Sequence, residues 1–501
     1  MTGPHTQYRV LYSGWSIPRS SFLFGMSTRA SVWFLVIAIA FIALIMFGFG
    51  VGFAVTFAAI AYLLWSPMVL RFAGRSLYEW SGLARQWRRH TRKGEDMYLS
   101  GLFSRVPNGT NRLPGLLHGS ELHEGWDQHR SGHKYGVVHL PATKQSTVVI
   151  ECFPQGNEAI DQESVNVSVF NWGTFLNYLG DTSDVDGATV VIETGPETGN
   201  RLRREVAELV RPSMPGGPLP TAMMTESAEI LPYGSVRMWA RVAITFKATS
   251  AARRDDVGEQ IAEISRRLGG LLTVLDEANL NPRMLGSDEI VALTKRAYSP
   301  STLNSLELAD IDEGGHDLGW EDAGPMAHRD KRSTYWHDGC FSTTWEMSLA
   351  PSQPVPETVL RPVVDVNGDL VRKRVAIVYR PHSPSDAANL VNKDYKNALS
   401  GRNSGKGVAS VEADLRVEAT EQQRQEQGRG HGLTRFGIMI TITNPEDSDV
   451  PRNEAIVRDL TMRASLRVRR MYLQQSAAFA ATIGIGVLLP DHASVSRKHA
   501  E

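Results

Sequence analysis

The chain has 501 residues, 42% of them apolar, and a formal net charge of −1. That length suits about three domains at ~150 residues each; the apolar content excludes a disordered chain, and the balanced charge excludes a globally basic nucleic-acid binder, so any basic patch must be local. Two cysteines, Cys152 and Cys340, are too few and too far apart for a disulfide framework or a thiolate metal cage, which fits a reducing compartment.

Residues 1–29 carry Arg9, Arg19 and Arg29 without an acid and are expected to be a cytoplasmic segment. Residues 30–70 follow as the strongest physical signal, since Ser31 to Leu70 contains no charge at all. One membrane span needs ~20 residues, so the run predicts a two-helix transmembrane hairpin whose turn sits at Gly48, Gly50 and Gly52. Trp33, Tyr62 and Trp65 lie toward the opposite ends, where aromatic residues prefer the interface. A cleaved signal peptide would have a shorter apolar core and a small-residue cleavage site.

Residues 71–94 hold Arg71, Arg75, Arg85, Arg88, Arg89, Arg92 and Lys93 against Glu79. The basic flanks predict a two-pass protein of the inner (cytoplasmic) membrane, with both termini and the main domains cytoplasmic. Leu77, Trp80, Leu83, Ala84 and Trp87 recur at helical spacing, which reads as an amphipathic juxtamembrane helix on anionic lipid or as a plain stop-transfer flank.

Residues 95–300 alternate strand and helix signals. KYGVVHL and STVVIECF form a hairpin, ATVVIETG and VRMWARVAITFKA are further strands, and helices run through SVNVSVFNWGTFLNYLG, through DDVGEQIAEISRRLGGLL up to an interruption at Gly269–Gly270, and from Ser287. This predicts a first α+β domain. Residues 301–333 are acidic and aperiodic, as a linker or long loop is. Residues 334–501 predict a second α+β unit: a hairpin about Asp338–Gly339, another about Asn367–Gly368, a helix capped by Ser383-Pro384-Ser385-Asp386, a polar helix ending at Gly428, the strand RFGIMITITNP and an amphipathic helix from Asn453. The expected fold class is therefore an N-terminal transmembrane hairpin followed by cytosolic α+β, sandwich-like domains.

Candidate chemistry is sparse. GRNSGKGVAS imitates a phosphate loop, but Gly401 and Gly405 are separated by three residues where four are needed, and Lys406 precedes Gly407 where a hydroxyl should hold Mg²⁺. His118, His123, His129, His133 and His139 are dense, and His129 and His133 could share a helical face, but Trp126 to Gly132 has no apolar periodicity and Gly125 and Gly132 bracket it as a turn, so a surface hairpin with polar tips is expected. His337 and Cys340 straddle a turn and could form a thiolate–imidazole pair, although no third partner or oxyanion loop is evident. Asp365 to Asp369 copies part of a calcium loop without its closing glutamate. No catalytic residue, metal ligand or cofactor site is predicted.

IPRSSFLFGMSTRASVWFLV with the apolar run behind it resembles the small two-helix inner-membrane proteins of type IV secretion systems, including the PrgI family. LRVRRMYLQQSAAFAATIGIG resembles the end of the non-motor N-terminal region of the assembly ATPase of those systems, where a strand, Gln-Gln and an Ala/Phe-rich helix lead toward the motor. The whole chain is similar to an actinobacterial family of two-helix membrane proteins of this length. The resemblance implies a membrane-anchored scaffold of a type IV secretion-like or conjugative apparatus that docks a separate motor ATPase. Its implied partners are membrane lipid, that ATPase, other subunits and further copies of itself, with no specific nucleic-acid binding. Rivals are a type VII secretion component and, from another class, a membrane enzyme using the His-rich segment or Cys340. The terminal segment from Gln474 to Pro490, with Phe479, Ile483, Ile485 and Leu488, is the expected motor dock, with ordinary core packing as the alternative reading.

Overall fold

The structure is a computed structural model that describes residues 10–13, 15, 28–48, 50–72, 75–100, 113–127, 132–154, 160–210, 218–351, 353–403 and 411–493. Two apolar helices come first, α1 (Thr28–Met46) and α2 (Val51–Val69), then the basic helix α3 (Leu77–Arg92). The remaining helices are α4 (Gln162–Asp181), α5 (Asn200–Leu209), α6 (Pro218–Ile230), α7 (Val257–Glu277), α8 (Ser287–Tyr298), α9 (Pro384–Asn403), α10 (Val411–Gly428), α11 (Val450–Arg463) and α12 (Gln475–Ile483), with shorter turns of helix between.

Thirteen strands form one sheet: β1 (Met97–Leu99), β2 (Glu121–Trp126), β3 (Lys134–Leu140), β4 (Gln145–Cys152), β5 (Val185–Pro196), β6 (Val236–Lys247), β7 (Pro282–Met284), β8 (Ala327–Asp330), β9 (Tyr335–His337), β10 (Cys340–Leu349), β11 (Lys373–Pro381), β12 (Thr434–Pro445) and β13 (Arg467–Arg470). The order is β1-β8-β9-β10-β12-β11-β5-β6-β4-β3-β2, with β7 added to β4 and β13 to β10. The long strands β5, β6, β11 and β12 are rich in Val, Ile and Thr, which suit a pleated surface covered on both sides.

The expected fold class is corrected on two counts. Among the described residues one helix, Gly52–Val69, is long and apolar enough to cross a membrane; the apolar stretch of its neighbour covers only Ala30–Met46. The uncharged run is divided by the turn at Gly48, whose φ is +78°, and by Gly50, which caps α2. The first part is thereby left with a shorter apolar stretch, Ala30–Met46, than the 18 residues of Gly52–Val69. The two-span hairpin is replaced by one candidate span and, beside it, a helix whose apolar stretch is shorter. Nor do two sandwich-like units follow. Strand β5 pairs with β11 from Ala188↔Tyr379 to Thr194↔Lys373, so residues on both sides of the acidic segment share one antiparallel sheet.

The acidic segment 301–333 also departs from a linker. It contains β8, which pairs with β1 and β9. Its acids meet arginines distant in sequence: Asp310 with Arg201 at 3.2 Å, Asp312 with Arg204 at 2.8 Å and Glu307 with Arg237 at 2.9 Å. Two smaller expectations fail locally. Helix α7 continues through Gly269–Gly270 to Glu277, and the chain before Asn367 is helical (Arg361–Val364), so no hairpin forms there. The Asp338–Gly339 hairpin is present, with φ of +39° and +75° at those two residues.

One face of the sheet packs against α4 and α7 (Phe175, Leu179, Ile264, Leu268) and, further along, α11 (Val457, Leu460). The other face packs against α8 and the terminal segment. That segment is the centre of its core. Phe479, Ile483, Ile485 and Leu488 are all buried at 1% exposure or less, so the expected motor dock is interior and the core-packing reading holds. Gln475 fixes the helix by exchanging hydrogen bonds with Thr344, accepting from its N–H at 2.8 Å and donating to its carbonyl at 3.2 Å. Arg241 donates twice to the Ile483 carbonyl, at 2.8 and 3.2 Å, a cation at a helix C-terminus. Gly484 and Gly486 then have φ of +78° and +101°; a Cβ on Gly484 would lie 2.6 Å from Val191, and one on Gly486 would strike Thr147. Only glycine lets the backbone cross the sheet this closely.

Candidate functional site

The most exposed apolar surface lies on α1 and α2. Trp33, Leu35, Val36, Ile39, Leu63 and Leu64 face outward, and Met46 and Phe47 at the tip are each 81% exposed. The two helices are pinned at the opposite end, where the Trp65 indole donates to the Ala30 carbonyl at 2.9 Å and its ring lies 5.5 Å from that of Phe34, tilted by 44°. Such a continuous apolar face requires a cover.

Helix α3 connects this face to the sheet. A capping box starts it: the Glu79 N–H donates to the Ser76 hydroxyl at 3.2 Å and the Ser76 N–H to the Glu79 carboxylate at 2.9 Å. Arg89, His90 and Arg92 in its last turn complement the helix dipole. Trp80, Leu83, Ala84 and Trp87 form a half-buried stripe, while Arg85, Arg88, Arg89 and Arg92 recur at three, one and three residues and form an exposed basic stripe. Lys93 is exposed just beyond. The apolar stripe therefore serves contacts with α2 and the body, and the basic stripe stays exposed to solvent. Arg71 belongs to a two-residue strand paired with Arg75–Ser76.

Arg75 differs from the other basic residues. Its guanidinium donates to Glu346 on β10 at 3.0 Å and to the Gln474 side chain at 3.2 Å, while Arg469 shares the same Glu346 oxygen at 2.7 Å. Burial pulls the Arg75 pKa down, against the raising pull of Glu346. Trp80 packs 6.2 Å from Tyr472 and donates to the Phe72 carbonyl at 3.0 Å. At the far end of α3, His90 contacts Glu95 at 3.2 Å and lies 4.0 Å from Asp330. Asp330 is buried, accepts from Ser476 at 2.5 Å, and has its pKa pushed up to about 6 by burial. The helix is thus fastened at both ends to the strands that hold α12. Sequence spacing revealed α3 but not this role of Arg75, because Glu346 and Gln474 are distant in the chain.

The other sequence candidates do not assemble. Gly405, Lys406 and Gly407 lie outside the described residues, and Gly401 is in the last turn of α9. His123 and His139 stand 6.1 Å apart at the β2–β3 pair, His118 and His133 are exposed elsewhere, and His129 is outside the described residues. Among the described residues no group of three or more metal-ligating side chains occurs. His337 is buried with both ring nitrogens engaged, Nδ1 by the Tyr298 carbonyl and Nε2 by Ser342 at 2.8 Å, and burial lowers its pKa to about 4. Burial raises the Cys340 thiol, so this pair does not form an activated thiolate. At Asp365–Asp369 the Asn367 side chain accepts from the Asp369 N–H at 2.8 Å, an ordinary Asx turn.

Residues 19–79 match a family described as Domain of unknown function (DUF8461). The matched stretch contains α1, α2 and the first residues of α3. No curated protein matches the chain.

Proposed function

We propose that the chain is a membrane-anchored scaffold of a type IV secretion-like or conjugative apparatus, which holds a separate motor ATPase at the inner membrane. The observation that carries this reading is the clamp at Arg75. It ties an exposed apolar helix and a basic stripe to Glu346 and Gln474, so a partner seated on the sheet body would be held at fixed distance from the bilayer. In this reading Gly52–Val69 is the anchor, Arg85, Arg88, Arg89 and Arg92 meet anionic headgroups, and the body supplies binding faces for the motor, other subunits and further copies of the chain. The resemblance of the N-terminal segment and of LRVRRMYLQQSAAFAATIGIG to type IV secretion proteins gives the class of machine. Because Phe479 and its neighbours are interior, the motor's contact is sought on exposed residues. The test is affinity purification of the tagged chain from detergent-solubilised native membranes. Co-purification of a type IV-class ATPase is expected; recovery of a type VII motor, or retention of the chain in the soluble fraction, overturns the proposal.

A further inference from the structure

Away from α3, the sheet carries a row of side chains that packing does not explain. Trp239, Glu193, Arg374 and Thr441 are direct cross-strand neighbours on β6, β5, β11 and β12. They share one face, since side chains directly opposite in a ladder point the same way. Arg372 lies just before β11, and Arg296 is on α8. Trp239, Glu193, Arg374, Arg372 and Arg296 line a small cleft with about 20 Å³ of enclosed space, with Gly195, Pro300 and Leu303 in its wall. A Cβ at Gly195 would sit 3.1 Å from the Trp239 ring, so glycine leaves room for the indole over β5. Arg296 lies 4.5 Å from the centre of that ring.

The charges do not cancel. Arg296, Arg372, Lys373 and Arg374 line the cleft against a single acid, Glu193, which leaves an excess of three positive charges (four minus one). The Lys373 ammonium donates to the Asp365 carbonyl at 2.6 Å, and one terminal nitrogen of Arg372 donates to the Pro300 carbonyl at 3.0 Å, which leaves the rest of its fork for a ligand. Glu193 is already taken by Arg241, outside the lining, at 2.6 Å, and more weakly by Arg296 at 3.4 Å. Burial would raise the Glu193 carboxyl, but Arg241, Arg296 and Arg374 outweigh it and hold it at about 2.

Arg374 is the anomaly. It is 4% exposed, yet neither terminal nitrogen of its guanidinium has a hydrogen-bond partner; the Arg296 Nε is likewise buried and unpartnered. The Arg374 guanidinium rests 4.4 Å from the centre of the Phe479 ring, which leaves its fork of donors unused. A buried cation with unmet donors costs stability unless something supplies acceptors. An oxyanion supplies several acceptor atoms and up to two negative charges, and guanidinium forks recognise it through paired hydrogen bonds.

We propose that this cleft binds a phosphoryl group, held by the free donors of Arg374 and Arg296 and by Arg372 at the mouth. The site is independent of whether the chain serves a secretion machine. Its chemistry is that of a phosphate, free in solution or as the head of a lipid.

The test is inorganic phosphate titrated into the purified full-length protein in detergent, followed by calorimetry and thermal unfolding, with sodium chloride matched for ionic strength. Saturable stabilisation by phosphate beyond that of chloride is expected. Arg296→Gln and Arg374→Met should each weaken the affinity tenfold or more. Arg374→Met should melt no lower than wild type without phosphate, because an unsatisfied buried charge is gone. If Arg374→Met does not fold, Arg296→Gln and Arg372→Gln decide. Dihexanoyl phosphatidic acid below its micelle concentration separates the sources: binding tenfold tighter than inorganic phosphate assigns a lipid head, and equal binding a free phosphate. Stabilisation no greater than by chloride, or undiminished affinity in folded Arg296→Gln, overturns the proposal.

Discussion

Replacing Phe479 by alanine tests whether the terminal segment is core and not a dock. The ring is fully buried, 5.1 Å from Tyr298, 5.0 Å from Tyr335 and 4.7 Å from His337, with the Arg374 guanidinium above it. A buried phenylalanine removes ~200 Å² from water, which at ~25 cal/mol per Å² is about 5 kcal/mol. Large-to-small substitutions of this kind measure ~3–5 kcal/mol. The walls here are rigid, since Tyr298 and Tyr335 belong to α8 and β9, so little collapse is available and the expected loss is about 4 kcal/mol. With a urea dependence of ~3 kcal/mol per molar, the unfolding midpoint should fall by roughly 1.3 M. Urea unfolding followed by far-UV circular dichroism, on wild type and variant in the same detergent, makes the measurement. A loss below ~1 kcal/mol, with motor recruitment abolished in a folded protein, would refute the core assignment and restore the segment as a binding surface.

Gly486→Ala should destabilise by ~2 kcal/mol or more, since the new Cβ meets Thr147 and the backbone is held at φ +101°; thermal unfolding checks it, and Gly368→Ala, with open space around it, serves as control. Arg75→Ala should cost only about 1 kcal/mol in global stability, because Arg469 keeps Glu346 paired, while amide exchange in α3 accelerates; unchanged exchange would mean that the clamp does not hold the helix. Changing Arg85, Arg88, Arg89 and Arg92 together to glutamine should weaken flotation with phosphatidylserine vesicles by ~4 kcal/mol at low salt and leave neutral vesicles unaffected. The pH profile has two opposing parts. Burial holds His328 at about 4 as well as His337, below the unfolded value of ~6.5, so their stabilising contribution is complete above pH ~6.5 and is lost as pH falls toward 4. Asp330 has the opposite sign: its raised value of about 6 favours the fold below ~3.8 and that advantage is lost as pH rises through 6. Asp330→Asn should therefore raise the melting temperature at pH 7.5 with no difference at pH 4, and His328→Phe should flatten the acid limb.

Local chemistry determined a good deal of this protein. Gly48 turns the chain with positive φ, Ser76 and Glu79 start α3, Asp338–Gly339 closes its hairpin, and the β-branched runs at β4, β5, β6 and β12 are strands. Each depends on neighbours within a few residues, and that is the range over which propensity and periodicity speak. Tertiary structure decided what periodicity could not carry. An uncharged run gives the apolar length but not where helix ends consume it, so two spans were expected and one qualifies. Acids in 301–333 read as solvated until Arg201, Arg204 and Arg237 arrive from elsewhere in the chain. The apolar residues of 474–490 have the same composition whether they face a partner or a sheet, and β10, β11 and β12 claimed them for the core. The charged row of Glu193, Arg374 and Trp239 had no sequence signal at all, because cross-strand register alone makes neighbours of residues up to 181 apart in number.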